Sequence, residues 1–213
     1  MNRYLTEFIG TFFLVLTIGL SVMSGSELAP IAIGSSLMVM VYMGGHISGA
    51  HYNPAVSVAI LMRGEMDSRD FVPYVLAQVM GATAAAGSVL LILGGTFAPA
   101  PGADAGVLAV LLSEFLFTFA LALVVLHVAT ADDTEGNDYY GLAIGFTVMT
   151  GAFAVGGVSG GVFNPAVGIG PILVDTLAGD GSMANLWMYL VGPLLGGTAA
   201  AMVFKFQTAG QVA

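Results

Sequence analysis

The sequence predicts an all-α membrane protein in which six transmembrane helices and two re-entrant half-helices form an inverted repeat. Three observations lead to this fold class. Of the 213 residues, 57% are hydrophobic and only 8% are charged; six apolar stretches have the length of a bilayer-spanning helix; and both halves of the chain carry the same short motifs. A soluble domain has roughly 25% charged residues, so a chain of this composition needs a lipid bilayer as its solvent.

Six segments are candidates for transmembrane helices, because each has about 20 mostly apolar residues, the length needed to cross a bilayer. In chain order they are 4–23, 28–45, 71–94, 107–130, 139–157 and 185–206. An alternative for the first segment is a cleaved signal peptide, with Arg3 before an apolar core. The segment is long for such a core, contains Glu7 and has a copy later in the chain, which favours a permanent helix.

Two shorter apolar segments, 54–63 and 165–175, have about half the spanning length. The same motif marks the start of each, Asn53-Pro54-Ala55 in one case and Asn164-Pro165-Ala166 in the other, with the asparagine directly before the segment. Asn is a strong helix N-cap and Pro suits the first helical turn. A single Asn-Pro pair would indicate only a turn. Two copies, each after a Ser-Gly pair and further glycines, predict half-helices that follow loops entering the membrane.

The two halves of the chain, 1–97 and 105–213, repeat each other in order and in spacing. The matching pairs are Glu7-Phe8 with Glu114-Phe115, Ser48-Gly49 with Ser159-Gly160, and 81–86 with 196–201. Each half has three spans, and an odd number forces the second half to insert upside down relative to the first. The two short helices then enter from opposite faces, which places a solute path between them near the membrane midplane.

The chemistry of this path follows from its two helix ends. Each half-helix N-terminus carries about half a positive charge and points to the midplane, where it opposes cations. The side-chain amides of Asn53 and Asn164 can donate hydrogen bonds to a passing oxygen, and carbonyls of the extended loops can accept them. Such backbone is stable at membrane depth only where it is buried in protein or faces a water-filled cavity.

Charge and composition set the orientation and exclude several functions. All four basic residues, Arg3, Arg63, Arg69 and Lys205, fall on one side of a six-span protein; the positive-inside rule predicts that both termini are cytoplasmic, in a plasma or inner membrane. A net charge of −9 argues against nucleic acid as a partner. With no cysteine, three scattered histidines and no paired carboxylates near the short helices, we expect no enzymatic activity, cofactor or metal site.

Residues 46–56, with the sequence HISGAHYNPAV, resemble the first signature of the aquaporin family, also called the major intrinsic proteins; 77–82 and 191–197 resemble its third and sixth spans. The resemblance implies a passive channel for water and small neutral solutes that forms a homotetramer in the lipid bilayer, with one pore per subunit. It also implies that His51 lines the cytoplasmic half of the pore and that Glu7 and Glu114 brace the loops. A pH gate at His51 and a proton relay through the two acids are the alternatives.

The second signature departs from the family pattern. The family carries an arginine of the selectivity filter where this chain has Val167, so the resemblance is to an atypical aquaporin or aquaglyceroporin. By distance from the motifs, the other filter positions are Ile33, Ala152 and Gly161. All four residues are small or aliphatic. We therefore expect a wide filter that passes glycerol, urea-like molecules and undissociated metalloid acids as well as water.

Two other transport functions stay open at this point. One is a channel dedicated to metalloid or organic acids. The other, less favoured, is an ion-coupled secondary transporter, since inverted repeats and broken helices serve both classes. A coupled transporter usually has ionisable residues at its midplane site, whereas the midplane pair here is Asn53 and Asn164.

Overall fold

The computed structural model of the protein describes residues 1–209, which form helices and connections without a β-strand. Eight α-helices lie within this range, six of them long and apolar enough to cross a membrane. In chain order they are α1 (Asn2–Met23), α2 (Ala29–Ser48), α3 (Pro54–Arg63), α4 (Ser68–Leu93), α5 (Val107–Thr130), α6 (Tyr140–Ser159), α7 (Pro165–Ala178) and α8 (Leu186–Thr208). The chain is therefore a multi-pass membrane protein, and the predicted fold class is confirmed.

The predicted spans agree with the observed helices to within about one turn, and the differences have local causes. Helix α4 begins earlier than predicted because the Asp67 carboxylate accepts a hydrogen bond from the Arg69 N–H and caps the helix. The guanidinium of Arg69 also holds the pKa of Asp67 at about 2. Helix α7 continues past Asp175 to Ala178 and ends where the N–H of Gly179 donates to the Asp175 carbonyl.

One face of the molecule carries the start of α1 and the end of α8, and we call it the terminal face. There, Arg3 lies 2.5 Å from Asp70 at the start of α4. The Arg63 guanidinium at the end of α3 lies 5.2 Å from the ring centre of Phe204 on α8. The opposite face, which we call the far face, carries the α4–α5 connection, residues 94–106, and the end of α7.

Each short helix packs mainly against the other half of the chain. Helix α3 lies against α8, and α7 lies against α4, while α1 pairs with α4, α5 with α8, and α2 with α6. Glycine allows the closest of these contacts: a methyl group added at Gly81 would lie 2.4 Å from the Phe8 carbonyl, and one added at Gly196 would lie 2.5 Å from the Phe115 carbonyl. Small residues thus permit close helix packing in lipid at matching places in both halves.

Candidate functional site

Two short loops precede the half-helices and share one backbone conformation. In the first loop, Gly49 has φ +82° and Tyr52 has φ +50°; in the second, Gly160 has φ +92° and Phe163 has φ +49°. A left-handed conformation at a bulky residue costs about 1–3 kcal/mol and persists only where its surroundings enforce it. Both aromatic side chains are fully buried, and that packing stabilises the strained conformation.

The Glu7 carboxylate of α1 holds the first loop. One oxygen accepts from the Ser48 hydroxyl at 2.7 Å and from the His51 N–H at 3.0 Å. The other accepts from the Tyr52 N–H at 2.7 Å and from the Gln78 side-chain amide at 2.8 Å. The carboxylate is fully buried, and these contacts satisfy loop N–H groups that have no helical partner.

The Glu114 carboxylate of α5 makes the matching contacts in the second loop. One oxygen accepts from the Ser159 hydroxyl at 2.7 Å and the Val162 N–H at 3.0 Å, and the other accepts from the Phe163 N–H at 2.7 Å. Both acids therefore contact the backbone of the loop in their own half, whereas neither lines the cavity described below. This geometry favours a brace over a proton relay.

The two predicted asparagines meet through each other's loops. The Asn53 amide donates to the Phe163 carbonyl at 2.8 Å, and the Asn164 amide donates to the Tyr52 carbonyl at 2.9 Å. Each side-chain oxygen caps its own half-helix by accepting the N–H of the alanine two residues later. An asparagine amide has two N–H groups, so one on each side chain is available to a solute.

A cavity of about 370 Å³ contains both asparagines. Many of its lining residues occur in matching pairs, one from each half of the chain. The pairs are Leu14 and Leu121, Ile18 and Val125, Ile33 and Ile144, Leu37 and Val148, Ala50 and Gly161, His51 and Val162, and Val56 and Val167. The cavity, which we call the passage, thus lies along the interface of the two halves and is mostly apolar.

The structure brings all four predicted filter residues into this cavity. Ile33 and Val167 are 9% and 5% exposed, and a methyl group added at Gly161 would lie 3.4 Å from the Cα of Ala152. Among residues 1–209, those that line the cavity include no Asp, Glu, Lys or Arg. The position that Val167 occupies therefore presents an aliphatic surface to the passage.

His51 lines both the main cavity and a second one of about 300 Å³ on the terminal face. Its Nδ1 lies 3.0 Å from the Ser57 hydroxyl, and its ring centre lies 5.1 Å from that of Tyr74. The second cavity is also lined by Arg3 and Asp70. The His51 side chain therefore faces the passage on the terminal side of the asparagines.

Sequence reasoning missed a pair of tyrosines that hold the loops from outside. The Tyr74 hydroxyl donates to the Ser48 carbonyl and the Tyr189 hydroxyl donates to the Ser159 carbonyl, both at 2.8 Å. Each tyrosine stands seven residues before the repeated glycine of its half, Gly81 or Gly196, so the repeat itself carried this signal. The second omission is the α4–α5 connection, whose residues 97–100 line the cavity although no motif marks them.

Three comparisons with known proteins agree with this geometry. The family model described as "Major intrinsic protein" matches residues 1–204. Aquaporin NIP1-1 of Zea mays is 37% identical over 96% of this chain and 74% of its own length. The glycerol uptake facilitator protein-like 6 of Lactiplantibacillus plantarum is 35% identical over 94% of this chain and 95% of its own length. The solved structure of the aquaglyceroporin from Plasmodium falciparum has the same fold, with a TM-score of 0.86 and 21% sequence identity. The match covers 99% of this chain and 97% of that one.

Proposed function

The chain belongs to the major intrinsic protein family, and from this premise we propose that it is a member with a wide, uncharged selectivity filter. As a member of this family it is a passive channel for water and small solutes, not an enzyme.

One observation carries the proposal: the four filter positions share one cavity and none of them is charged or aromatic. A guanidinium at residue 167 would narrow the passage and hold a positive charge there. Val167 does neither, so the filter admits molecules with a larger cross-section than water. Neutral polyols such as glycerol, urea-like molecules and undissociated metalloid acids fit this description, because they need hydrogen-bond partners but no counter-charge.

The midplane supplies those partners. Asn53 and Asn164 each keep an amide N–H for a solute oxygen, while loop carbonyls accept from solute hydroxyls. The half-helix N-termini converge there, each with about half a positive charge, and they oppose cations in place of the missing arginine. His51 adds one further polar group on the terminal side.

The placement of the protein follows from its charges and its repeat. We assign the two inverted repeats to 1–97 and 105–213. All four Lys and Arg residues lie toward the terminal face, which makes that face cytoplasmic by the positive-inside rule. In a cell this corresponds to the plasma or inner membrane. Family membership favours a homotetramer with one passage per subunit. The relatives do not favour a dedicated metalloid channel or an ion-coupled transporter.

Stopped-flow light scattering on proteoliposomes tests this function. Vesicles with purified protein are mixed with glycerol, urea or arsenous acid without any ion gradient, and empty vesicles serve as the control. We expect fast reswelling in all three solutes with a weak temperature dependence. Water flux without reswelling in any of these solutes would contradict the wide filter, and flux that needs a proton or sodium gradient would contradict a passive channel.

A further inference from the structure

The α4–α5 connection is fixed to three helices around the far-face mouth of the cavity. The Thr96 hydroxyl donates to the Asp175 carboxylate of α7 at 2.6 Å. Further along, the Gly102 N–H donates to the Val158 carbonyl near the end of α6 at 3.0 Å. Between these two anchors the ring of Phe97 lies against α1. The connection is therefore held on both sides of residues 97–100, and these four residues line the cavity.

The position of the Phe97 ring depends on a glycine. A methyl group added at Gly19 of α1 would lie 2.5 Å from the Phe97 ring and 2.6 Å from the Val89 side chain of α4. Any side chain at residue 19 would thus displace the ring. Phe97 is half-buried, as expected for a ring with one face on helices and another toward the passage. Ile18 and Val22, on either side of Gly19, line the same cavity.

The filter positions and the connection complement each other. Ile33, Ala152, Gly161 and Val167 bring no ring to the passage. We propose that Phe97 supplies the aromatic surface of the outer constriction and is a specificity-determining residue of this channel. Its ring limits the cross-section of a solute and presents an apolar face to the carbon chain of a polyol. This inference rests on the proposed function and names a residue outside the four filter positions.

Asp175 is the positioning residue for that ring. Its carboxylate accepts the Thr96 hydroxyl one residue before Phe97. The N–H groups of Gly179 and Gly181 donate to its carbonyl at 2.9 and 3.3 Å, and a methyl group added at Gly181 would lie 2.2 Å from the carboxylate. The loop that follows α7 therefore encloses the carboxylate. Its hydrogen bond with Thr96 fixes the connection relative to α7.

The test compares solute size selectivity in proteoliposomes. The quantity measured is the ratio of xylitol to glycerol permeability, for the wild type, Phe97→Ala and Phe97→Trp. We expect Phe97→Ala to raise this ratio by about threefold or more and Phe97→Trp to lower it. The matched control is Phe153→Ala, which makes the same size change on α6 at a side chain that is 55% exposed and outside the cavity; its ratio stays at the wild-type value.

The anchor is tested by Thr96→Val and Asp175→Asn, which weaken or remove the hydrogen bond at nearly constant size. Each should shift the ratio in the direction of Phe97→Ala while water permeability per channel is kept. Thr96→Val should add nothing to Phe97→Ala, because a residue that acts only through the ring has no effect once the ring is absent. An additive shift would overturn the positioning role.

Opposite outcomes separate this inference from the proposed function. If the wild type conducts glycerol and both Phe97 variants keep its ratio, the inference is wrong and the proposed function stands. If the wild type conducts water but no polyol, the proposed function and the inference fail together. Phe97→Trp keeps an aromatic ring beside Gly19. Its permeability ratio therefore still tests the inference if Phe97→Ala does not fold.

Discussion

The two halves of the passage share one backbone and differ in the chemistry of their side chains. In both halves, a buried glutamate holds the loop and an asparagine caps the half-helix. The lengths of the matching hydrogen bonds differ by no more than about 0.1 Å. Around this common frame the first half places His51, Ser57 and Gln78 in one hydrogen-bonded group. The corresponding positions of the second half are Val162, Gly168 and Pro193.

This difference shows which parts of the repeat are free to diverge. The loop conformation needs an acceptor for its N–H groups, and both halves supply one. The lining needs only side chains that fit the space, so the first half can carry polar residues where the second half carries Val162 and Gly168. Val56 and Val167 occupy the same place in the two halves. An arginine at residue 167 would break this symmetry, which Val56 and Val167 maintain.

The largest effect on stability is expected from removing the braces. Glu7→Ala and Glu114→Ala each leave two buried loop N–H groups without an acceptor, at about 1–3 kcal/mol per group. Glu7 also accepts from the Gln78 amide, whereas the matching position in the second half is Pro193, which has no side-chain donor. We therefore expect both variants to unfold at a lower temperature than the wild type, and we expect the larger fall in thermal midpoint for Glu7→Ala. The measurement is the thermal midpoint of purified protein in detergent, with Phe153→Ala as a surface control.

An equal fall in thermal midpoint for Glu7→Ala and Glu114→Ala would show that the hydrogen bond from Gln78 to Glu7 contributes nothing to stability. Midpoints at the wild-type value in both variants would show that the loops do not need the carboxylates at all. Glu7→Gln and Glu114→Gln keep one acceptor oxygen, and their midpoints should fall between those of the alanine variants and the wild type.

The asparagines should behave as an equal pair. Asn53→Ala and Asn164→Ala each remove a helix cap, worth about 1–2 kcal/mol, and each leaves one carbonyl of the opposite loop without its donor. We expect the same moderate fall in thermal midpoint for both. Water permeability in proteoliposomes should also fall by similar factors, because each removes one midplane donor. A large inequality between the two would contradict the symmetric midplane.

The long helices and the half-helices were accessible from sequence because their signals are local. Apolar length marked the six spans, and an N-cap followed by proline marked the start of α3 and α7. The bracing contacts of Glu7 and Glu114 required the family resemblance, since no spacing rule links residue 7 to residue 52. The same holds for the filter positions, which come from four separate segments and meet only in three dimensions.

The α4–α5 connection could not be predicted in this way. Residues 97–100, Phe-Ala-Pro-Ala, have neither a helical nor a strand period, and no motif of the sequence marks them. Their place at the mouth depends on a hydrogen bond to Asp175, 79 residues away, and on the space left by Gly19. Such a long-range fit has no signature in a single sequence. The tyrosine pair, in contrast, was available from the repeat.

We infer that the far half of the passage is wide and uncharged because the short aliphatic side chain of Val167 stands where the family carries an arginine. The most direct measurement is the ratio of glycerol to water permeability for Val167→Arg against Val167→Met, which adds comparable length without charge. We predict that Val167→Arg lowers this ratio by about tenfold, a barrier difference of about 1.4 kcal/mol, while water still passes, and that Val167→Met lowers it less. A ratio for Val167→Arg equal to that of the wild type would contradict the account.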